Sequence, residues 1–468
     1  MSFRLNSFKF EQSESQTPKV DLTNHPQSDD NYFTIIIGNN GTGKSRFLRG
    51  IANTYKRNLK FQNKNDHKTL PLPRKVIAVT TSLSDKFPID YSFNQFPKQH
   101  IKSSQSAESS YCYLGPRGRI GGASSRALMT RAVSSLISKS QNKELFYQYK
   151  RIFEYLNYEP VLKIVYKVAI PNKLRESSHY INGSVLKDYF KDQVETRSGI
   201  REGIYKRFLD KNINYWDELA DAYNYAYTEQ YKSRKREFSF LINFSNENIN
   251  RNKDIISSSE ITRYEVFDDL RKLDLIKSMR VKLYKKNGGE FDFTDASSGE
   301  ASILSTLIGL VPNLESDSLL LIDEPEISLH PSWQYRYIEL IDRLMQSVSG
   351  CHIIIATHSH FLISDLPNGR SNIVHFKLAD NNNIEVDYYS KNTNGMSAED
   401  ILLNIFDMPS TRNYYLSSVV TELLELLAEG DKKSDKFRKL LNKVKQVYPN
   451  LKTIDPLHDV IKKLIELG

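Results

Sequence analysis

A lysine and a serine stand directly behind a glycine-rich stretch, Gly38-Asn39-Asn40-Gly41-Thr42-Gly43-Lys44-Ser45, which fits G-x-x-x-x-G-K-[ST] without a mismatch. In a loop of this kind backbone N–H groups converge on phosphate oxygens, the ammonium neutralises β/γ charge and the hydroxyl ligates magnesium. Asn39, Asn40, Gly41, Thr42, Gly43, Lys44 and Ser45 are therefore candidates for binding ATP with Mg2+, Ser45 as a metal ligand. Far downstream, Leu319 to Ile322 lead into Asp323-Glu324-Pro325. Two carboxylates after an apolar run are common in any fold. Beside a phosphate loop they gain a specific use: Asp323 holds the metal through its water shell and Glu324 polarises the attacking water. A third apolar run, Ile353 to Ala356, ends in Thr357-His358, where a lone histidine is by itself an ordinary, locally satisfied side chain.

Such residues act together only if the elements bearing them end in one place. The apolar run Phe33 to Ile37 leads directly into the phosphate loop, and Phe47, Leu48 and Ile51 beyond it have helical spacing. Lys44 and Ser45 thus open a helix whose N-terminus faces the phosphates. The runs at Val76–Val79, Leu319–Ile322 and Ile353–Ala356 do not alternate, as expected of parallel strands buried on both faces. Arg4 to Phe10 reads as a first strand, Glu11 to Asp30 as a polar loop, and Ser82 to Arg119, rich in Ser, Pro and Gly, as loop around the site. From about Leu128 to Tyr264 the chain is charged and aromatic, with strand candidates at Leu162, Ile164, Tyr166, Val168 and at Phe238–Phe244. We expect a largely helical insertion there; no sustained heptad repeat supports long coiled-coil arms. Asn381-Asn382-Asn383 signals a hairpin, and Ser397-Ala398-Glu399-Asp400 a helix-capping box. Phe437, Leu440, Leu441, Val444 and then Val460, Ile461, Leu464, Ile465 put apolar residues on one face of successive helices. The expected fold is α/β with a mostly parallel sheet. It divides into an N-terminal lobe (1–127), the insertion (128–264), a C-terminal lobe (265–392) and a helical C-terminal region (393–468).

A formal charge of +9 and a pI near 9.1 permit contact with nucleic acid without demonstrating it. Two basic groups, Lys232, Arg234, Lys235, Arg236 and Lys282, Lys285, Lys286, could hold backbone phosphates or simply be solvated faces. Cys112 and Cys351 lack metal-type spacing, so we expect both reduced and buried, and the protein cytoplasmic. No apolar stretch approaches the ~20 residues needed to span a bilayer, and the N-terminus lacks a signal-peptide core, so no membrane role is expected of this chain.

Four motifs occur in one order: the phosphate loop, Ser297-Ser298-Gly299-Glu300, the run ending at Asp323-Glu324, and the run ending at His358. That order resembles the P-loop ATPases of the ATP-binding cassette type, in particular the soluble branch of SMC-like repair and phage-defence proteins. The resemblance implies that His358 contacts the γ-phosphate and so joins Glu324 as a catalytic residue. It also implies that Ser297, Ser298, Gly299 and Glu300 form a signature motif, departing from the transporter form Leu-Ser-Gly-Gly-Gln, that binds the ATP held by a second subunit. Each site would then be complete only in a homodimer. As a bare tetrapeptide the same residues suit a helix cap. Ile327-Ser328-Leu329-His330 occupies the place of the loop that crosses such a dimer interface, or is a turn before Pro331. The glutamine that senses magnesium in this class is unassigned, since Gln95, Gln99 and Gln105 all lie in the loop-rich region.

Val76-Ile77-Ala78-Val79, Lys86-Phe87-Pro88, Tyr113-Leu114-Gly115 and the tail from Ser397 look similar to the ATPases of Septu-type antiphage defence (PtuA), and nearly as similar to the PARIS-system ATPase. This resemblance implies a homo-oligomeric ATPase, of higher order than a dimer, that holds a separate HNH-type nuclease effector and controls it when infection is sensed. The nuclease belongs to another chain, because OLD-type relatives carry an Asp-x-Asp pair after the ATPase and none follows His358 here. The alternatives are an SMC-like DNA-repair or DNA-binding clamp and, fitting less well, the nucleotide-binding subunit of a transporter.

Overall fold

The computed structural model describes residues 2–10, 18–24, 29–60, 71–89, 110–117, 125–138, 143–169, 171, 174, 180–196, 205–206, 208–233, 237–245, 261–379, 383–389, 393, 395–406, 414–432, 434–450 and 456–467. In chain order the strands are β1 (Ser7–Lys9), β2 (Lys19–Asp21), β3 (Tyr32–Gly38), β4 (Val76–Thr80), β5 (Tyr111–Leu114), β6 (Tyr158–Val168), β7 (Phe238–Asn243), β8 (Ile276–Lys285), β9 (Glu290–Asp292), β10 (Leu319–Asp323), β11 (His352–Ala356), β12 (Ser371–Leu378) and β13 (Ile384–Tyr389). The helices are α1 (Lys44–Lys60), α2 (Ser125–Ser138), α3 (Lys143–Tyr155), α4 (Gly183–Thr196), α5 (Ile213–Lys232), α6 (Ile261–Lys272), α7 (Ser298–Leu310), α8 (Pro331–Met345), α9 (Ala398–Asn404), α10 (Tyr414–Ala428), α11 (Asp435–Val447) and α12 (Pro456–Leu467).

Seven strands form the main sheet in the order β13-β12-β3-β11-β10-β4-β5, every pair parallel except β12 with β13. Strands β3, β4, β10 and β11 are buried along their whole length, which is why each has a continuous aliphatic run in place of an alternating pattern. Their register positions the chemistry. Ile36 lies opposite Ala356, Ala356 opposite Asp323, and Asp323 opposite Thr80. Strands β4, β10 and β11 therefore end level with Ile36 of β3, which runs two residues further to Gly38, and the segments that follow begin side by side, where open α/β sheets bind ligands. Helix α1 buries Phe47, Leu48, Ile51, Ala52 and Tyr55 in one cluster with Ile36, Ala78, Leu321 and Ile354 of the sheet.

The stretch Ser82–Arg119, expected as loop, contains β5, whose four residues are all buried at the sheet edge. The first strand is shorter than Arg4–Phe10 and pairs with β2, which lies inside the Glu11–Asp30 stretch expected as loop. Strands β6 and β7 fall at the two strand candidates, Leu162–Val168 and Phe238–Phe244, within the largely helical insertion. With β8 and β9 they form an antiparallel sheet, β7-β6-β8-β9, whose pairing crosses residue 264. Strands β12 and β13 form the expected hairpin; Asn381 and Asn382 at its tip lie outside the described residues.

The chain divides into compact units Met1–Asn394 and Gly395–Gly468. In the second, Ser397 accepts from the Asp400 amide at 3.0 Å and Asp400 closes the capping box on α9. Phe437, Leu440, Leu441 and Val444 of α11 pack with Val419, Val420 and Leu423 of α10 and with Ile461 and Leu464 of α12. Both cysteines are buried thiols outside any disulfide, and burial pushes the Cys351 thiol up to about 11. No described helix is long and apolar enough to cross a membrane.

Candidate active site

The loop after β3 turns through left-handed backbone at Gly38 (φ +149°) and Gly43 (φ +84°). A side chain at Gly38 would collide with the Phe376 carbonyl, and a Cβ at Gly43 would lie 2.8 Å from the Phe10 ring. Both positions therefore require glycine twice over, by dihedral and by space. Lys44 and Ser45 open α1 as the sequence predicts. The Lys44 ammonium, only 4% exposed, donates to the carbonyls of Gly38 at 2.8 Å and Asn39 at 3.1 Å and lies 3.3 Å from His358 Nδ1. Burial lowers it to about 8, against the opposing fields of Glu324, Glu326 and Asp323. An ammonium so poorly solvated gains most from an incoming polyanion.

Ser45 Oγ donates to Asp323 Oδ1 at 3.0 Å. Asp323, 3% exposed, is raised to about 7 by burial, against the Ser45 hydrogen bond and with the fields of Glu324, Asp85 and Glu326 adding to the rise. A hard oxygen pair with a carboxylate that resists ionising in isolation fits a divalent cation completed by water and phosphate oxygens. Ser45 and Asp323 are the residues that would hold Mg2+, whose chemistry when bound is to neutralise charge on the β/γ-phosphate oxygens.

Glu324 follows Asp323 in a left-handed conformation (φ +48°), unusual for a residue with a side chain, while its amide still donates to Ala356 O at 2.9 Å. The turn takes its carboxylate off the sheet to 3.4 Å from His358 Nε2. A hydrogen bond from His358 outweighs partial burial and holds the Glu324 carboxyl below its ordinary value. The ionised form of that carboxylate is thus favoured. With Lys44 at Nδ1 and Glu324 at Nε2, the imidazole of His358 bridges the phosphate loop and the carboxylate pair. Lys44, Ser45, Asp323, Glu324 and His358 are therefore brought together as anticipated.

Three further residues build this site and carry no motif of their own. Glu326, raised by its burial, accepts from the His358 amide at 2.6 Å and so fixes the backbone of that turn. Gln334 of α8 accepts from Ser359 Oγ at 2.6 Å and donates to Leu329 O at 2.9 Å, tying the segment after β11 to the Ile327–His330 loop. Asp85, beyond β4, receives two hydrogen bonds from Arg117 at 2.8 Å, one from Tyr113 Oη at 2.7 Å and one from the Phe87 amide at 3.0 Å. The Lys86-Phe87-Pro88 and Tyr113-Leu114-Gly115 segments meet around that buried carboxylate. Only the Phe87–Asp85 spacing was a local signal; the rest depends on the sheet order. Gln95, Gln99 and Gln105 lie outside the described residues.

Ser297 caps α7 and forms a full capping box with Glu300. Both readings of that tetrapeptide can hold at once, since a capped N-terminus also presents free N–H groups to an anion. Gly299 packs on the Ile327–His330 loop: a Cβ there would lie 2.6 Å from Ser328 O, and Ser328 is itself left-handed (φ +69°). His330 caps α8, with Pro331 in its first turn. Among the described residues, no hydrogen bond or ion pair joins Ser297–Glu300 to the phosphate loop of the same chain.

A family model described as "AAA domain, putative AbiEii toxin, Type IV TA system" matches residues 174–364. The chain is 20% identical over 457 residues to the "Retron Vc95 probable ATPase" of Vibrio cholerae serotype O1 biovar El Tor, covering 87% of this chain and 81% of that one. A stretch of 71 residues is 38% identical to "Protein ea59" of Escherichia phage lambda, 15% of this chain and 13% of that one. Among solved structures, an Smc head bound to the C-winged helix domain of ScpA aligns with TM-score 0.28 and 11% identity over 80% of this chain and 93% of that one. The Smc head with an extended coiled coil, bound to the C-terminal domain of ScpA from Pyrococcus furiosus, aligns with TM-score 0.29 and 12% identity over 80% and 92%. The sequence similarities support a defence-associated kind of ATPase.

Proposed function

We propose that this chain binds ATP with Mg2+ and hydrolyses it in composite sites of a homodimer, as the regulatory subunit of an antiphage defence complex controlling a separate nuclease of HNH type. The observation that carries the reading is the convergence of Lys44, Asp323, Glu324 and His358 from the segments that follow three adjacent parallel strands. Lys44 exchanges its loop carbonyls for phosphate oxygens. Glu324 accepts a hydrogen bond from the attacking water and takes its proton, and His358 sits between that base and the transferring phosphate. Exclusion of solvent comes from the second subunit's Ser297–Glu300 segment, so binding favours the closed dimer and hydrolysis reopens it.

Similarity to the retron ATPase over most of both chains supports the defence setting. Septu-type or PARIS-type membership, a higher oligomer and a cytoplasmic location stand with this proposal. The clamp reading is weakened by its own candidate residues, because Lys282 pairs with Glu290 and Lys285 with Glu300. Arg234, Lys235 and Arg236 lie outside the described residues. Purification from the native operon, with native mass and identification of what copurifies, tests the proposal. A stoichiometric nuclease on a homo-oligomer supports it; a bare dimer carrying nucleic acid contradicts it.

A further inference from the structure

The signature segment carries a negative charge where a second copy's triphosphate is to bind. Glu300 Oε2 is used within the cap, accepting from the Ser297 amide at 3.3 Å and hydroxyl at 3.1 Å. Its other oxygen, Oε1, accepts from Lys285 Nζ at 2.9 Å and from Tyr158 Oη at 3.2 Å. Tyr158 and Lys285 are direct cross-strand partners on β6 and β8. The ammonium of Lys285 is further held 5.2 Å from the ring centre of Phe291 on β9 and 5.9 Å from that of Tyr158. Three strands of the antiparallel sheet thus aim one cation at one carboxylate.

We propose that Lys285 is a positioning residue that cancels the Glu300 charge, so that the start of α7 can accept the polyanionic nucleotide of a second subunit. The inference rests on the composite-site reading above. It reassigns a lysine that sequence marks as a nucleic-acid candidate, and it makes β6, β8 and β9 the structure that reports nucleotide engagement to the rest of the chain. A carboxylate left uncompensated there would repel the β/γ-phosphates once the second subunit closes over it and excludes solvent. Partial burial works to raise the Glu300 carboxyl, but the hydrogen bonds from Lys285 and Ser297 hold it below its ordinary value. The pair is too exposed to matter much for folding, so its removal is expected to leave stability nearly intact.

The experiment is a double-mutant cycle on the full chain, with ATP-driven dimerisation by native mass and steady-state hydrolysis as readouts. Lys285→Met is expected to weaken dimerisation and lower kcat roughly tenfold, with ATP affinity of the monomer's phosphate loop unchanged. In a Glu300→Gln background, which retains a capping box, the same Lys285→Met change is expected to cost less than about twofold. An equal loss in both backgrounds would make Lys285 a mere tether and overturn the inference, as would no loss in either. Failure of the unsubstituted protein to dimerise with ATP would instead strike the composite-site reading, and this inference with it.

Discussion

Ser45 and Asp323, 278 residues apart in sequence, share a 3.0 Å hydrogen bond at the parallel strand ends. The hydroxyl comes from the first turn of α1 and the carboxylate from the last residue of β10. One register brings the two residues together, since Ile36, Ala356 and Asp323 form a row across β3, β11 and β10.

Removing the hydroxyl isolates the metal function. Ser45→Ala is expected to raise the Mg2+ concentration needed for half-maximal hydrolysis by roughly tenfold or more, the scale of one lost ligand-quality interaction. Nucleotide affinity measured with EDTA present should stay the same. Equal Mg2+ dependence in both proteins would remove Ser45 from the metal site.

Asp323 gives a pH signature. Its folded value of about 7 lies above the ordinary 3.8, so the folded state holds the extra proton between those limits. Its contribution to stability is present at low pH and is lost as pH rises toward and through 7, at up to roughly 1.4 kcal/mol per unit. Glu326 is shifted in the same direction, whereas Lys44, lowered from 10.5 to about 8, acts only above that window. In the absence of metal, Tm is expected to fall between pH 5 and 7.5 more steeply for the wild type than for Asp323→Asn. Added Mg2+ should stabilise the wild type more at pH 8 than at pH 6. Identical slopes for the two proteins would contradict the assignment.

The contact between Gly299 and Ser328 predicts a separation of functions. Gly299→Ala forces a methyl to 2.6 Å from a backbone oxygen, so either α7 or the Ile327–His330 loop must shift. ATP binding by the monomer should survive, while ATP-driven dimerisation and hydrolysis should drop by roughly tenfold or more. Retained turnover with this variant would mean that the signature start and the loop do not work as one surface.

Much of this site was legible in the sequence because each motif ends a strand or opens a helix, and parallel strands bring such ends together. Lys44, Ser45, Asp323 and Glu324 needed only local spacing to be singled out, and Ser297 and Ser397 only the capping pattern. Glu326, Gln334 and Asp85 were not legible. Their partners, the His358 amide, Ser359 with Leu329, and Arg117 with Tyr113, are set by which strands adjoin. Strand β8 was hidden for a different reason: Lys282, Lys285 and Lys286 read as a nucleic-acid contact or a solvated face, yet Lys282 and Lys285 are ion-paired with Glu290 and Glu300. Strand β5 was hidden by its length, four residues inside a stretch rich in turn formers.

The central claim is that one chain carries both the phosphate grip and the hydrolytic base. Nucleotide binding and steady-state ATP hydrolysis should be measured together for the wild type, Lys44→Ala and Glu324→Gln. The account predicts that Lys44→Ala loses roughly a hundredfold or more in ATP affinity, the scale of a buried charge-assisted contact. Glu324→Gln should bind ATP as the wild type does, accumulate as a closed dimer, and turn over at least about a hundredfold more slowly. Wild-type hydrolysis by Glu324→Gln, or wild-type binding by Lys44→Ala, would contradict it.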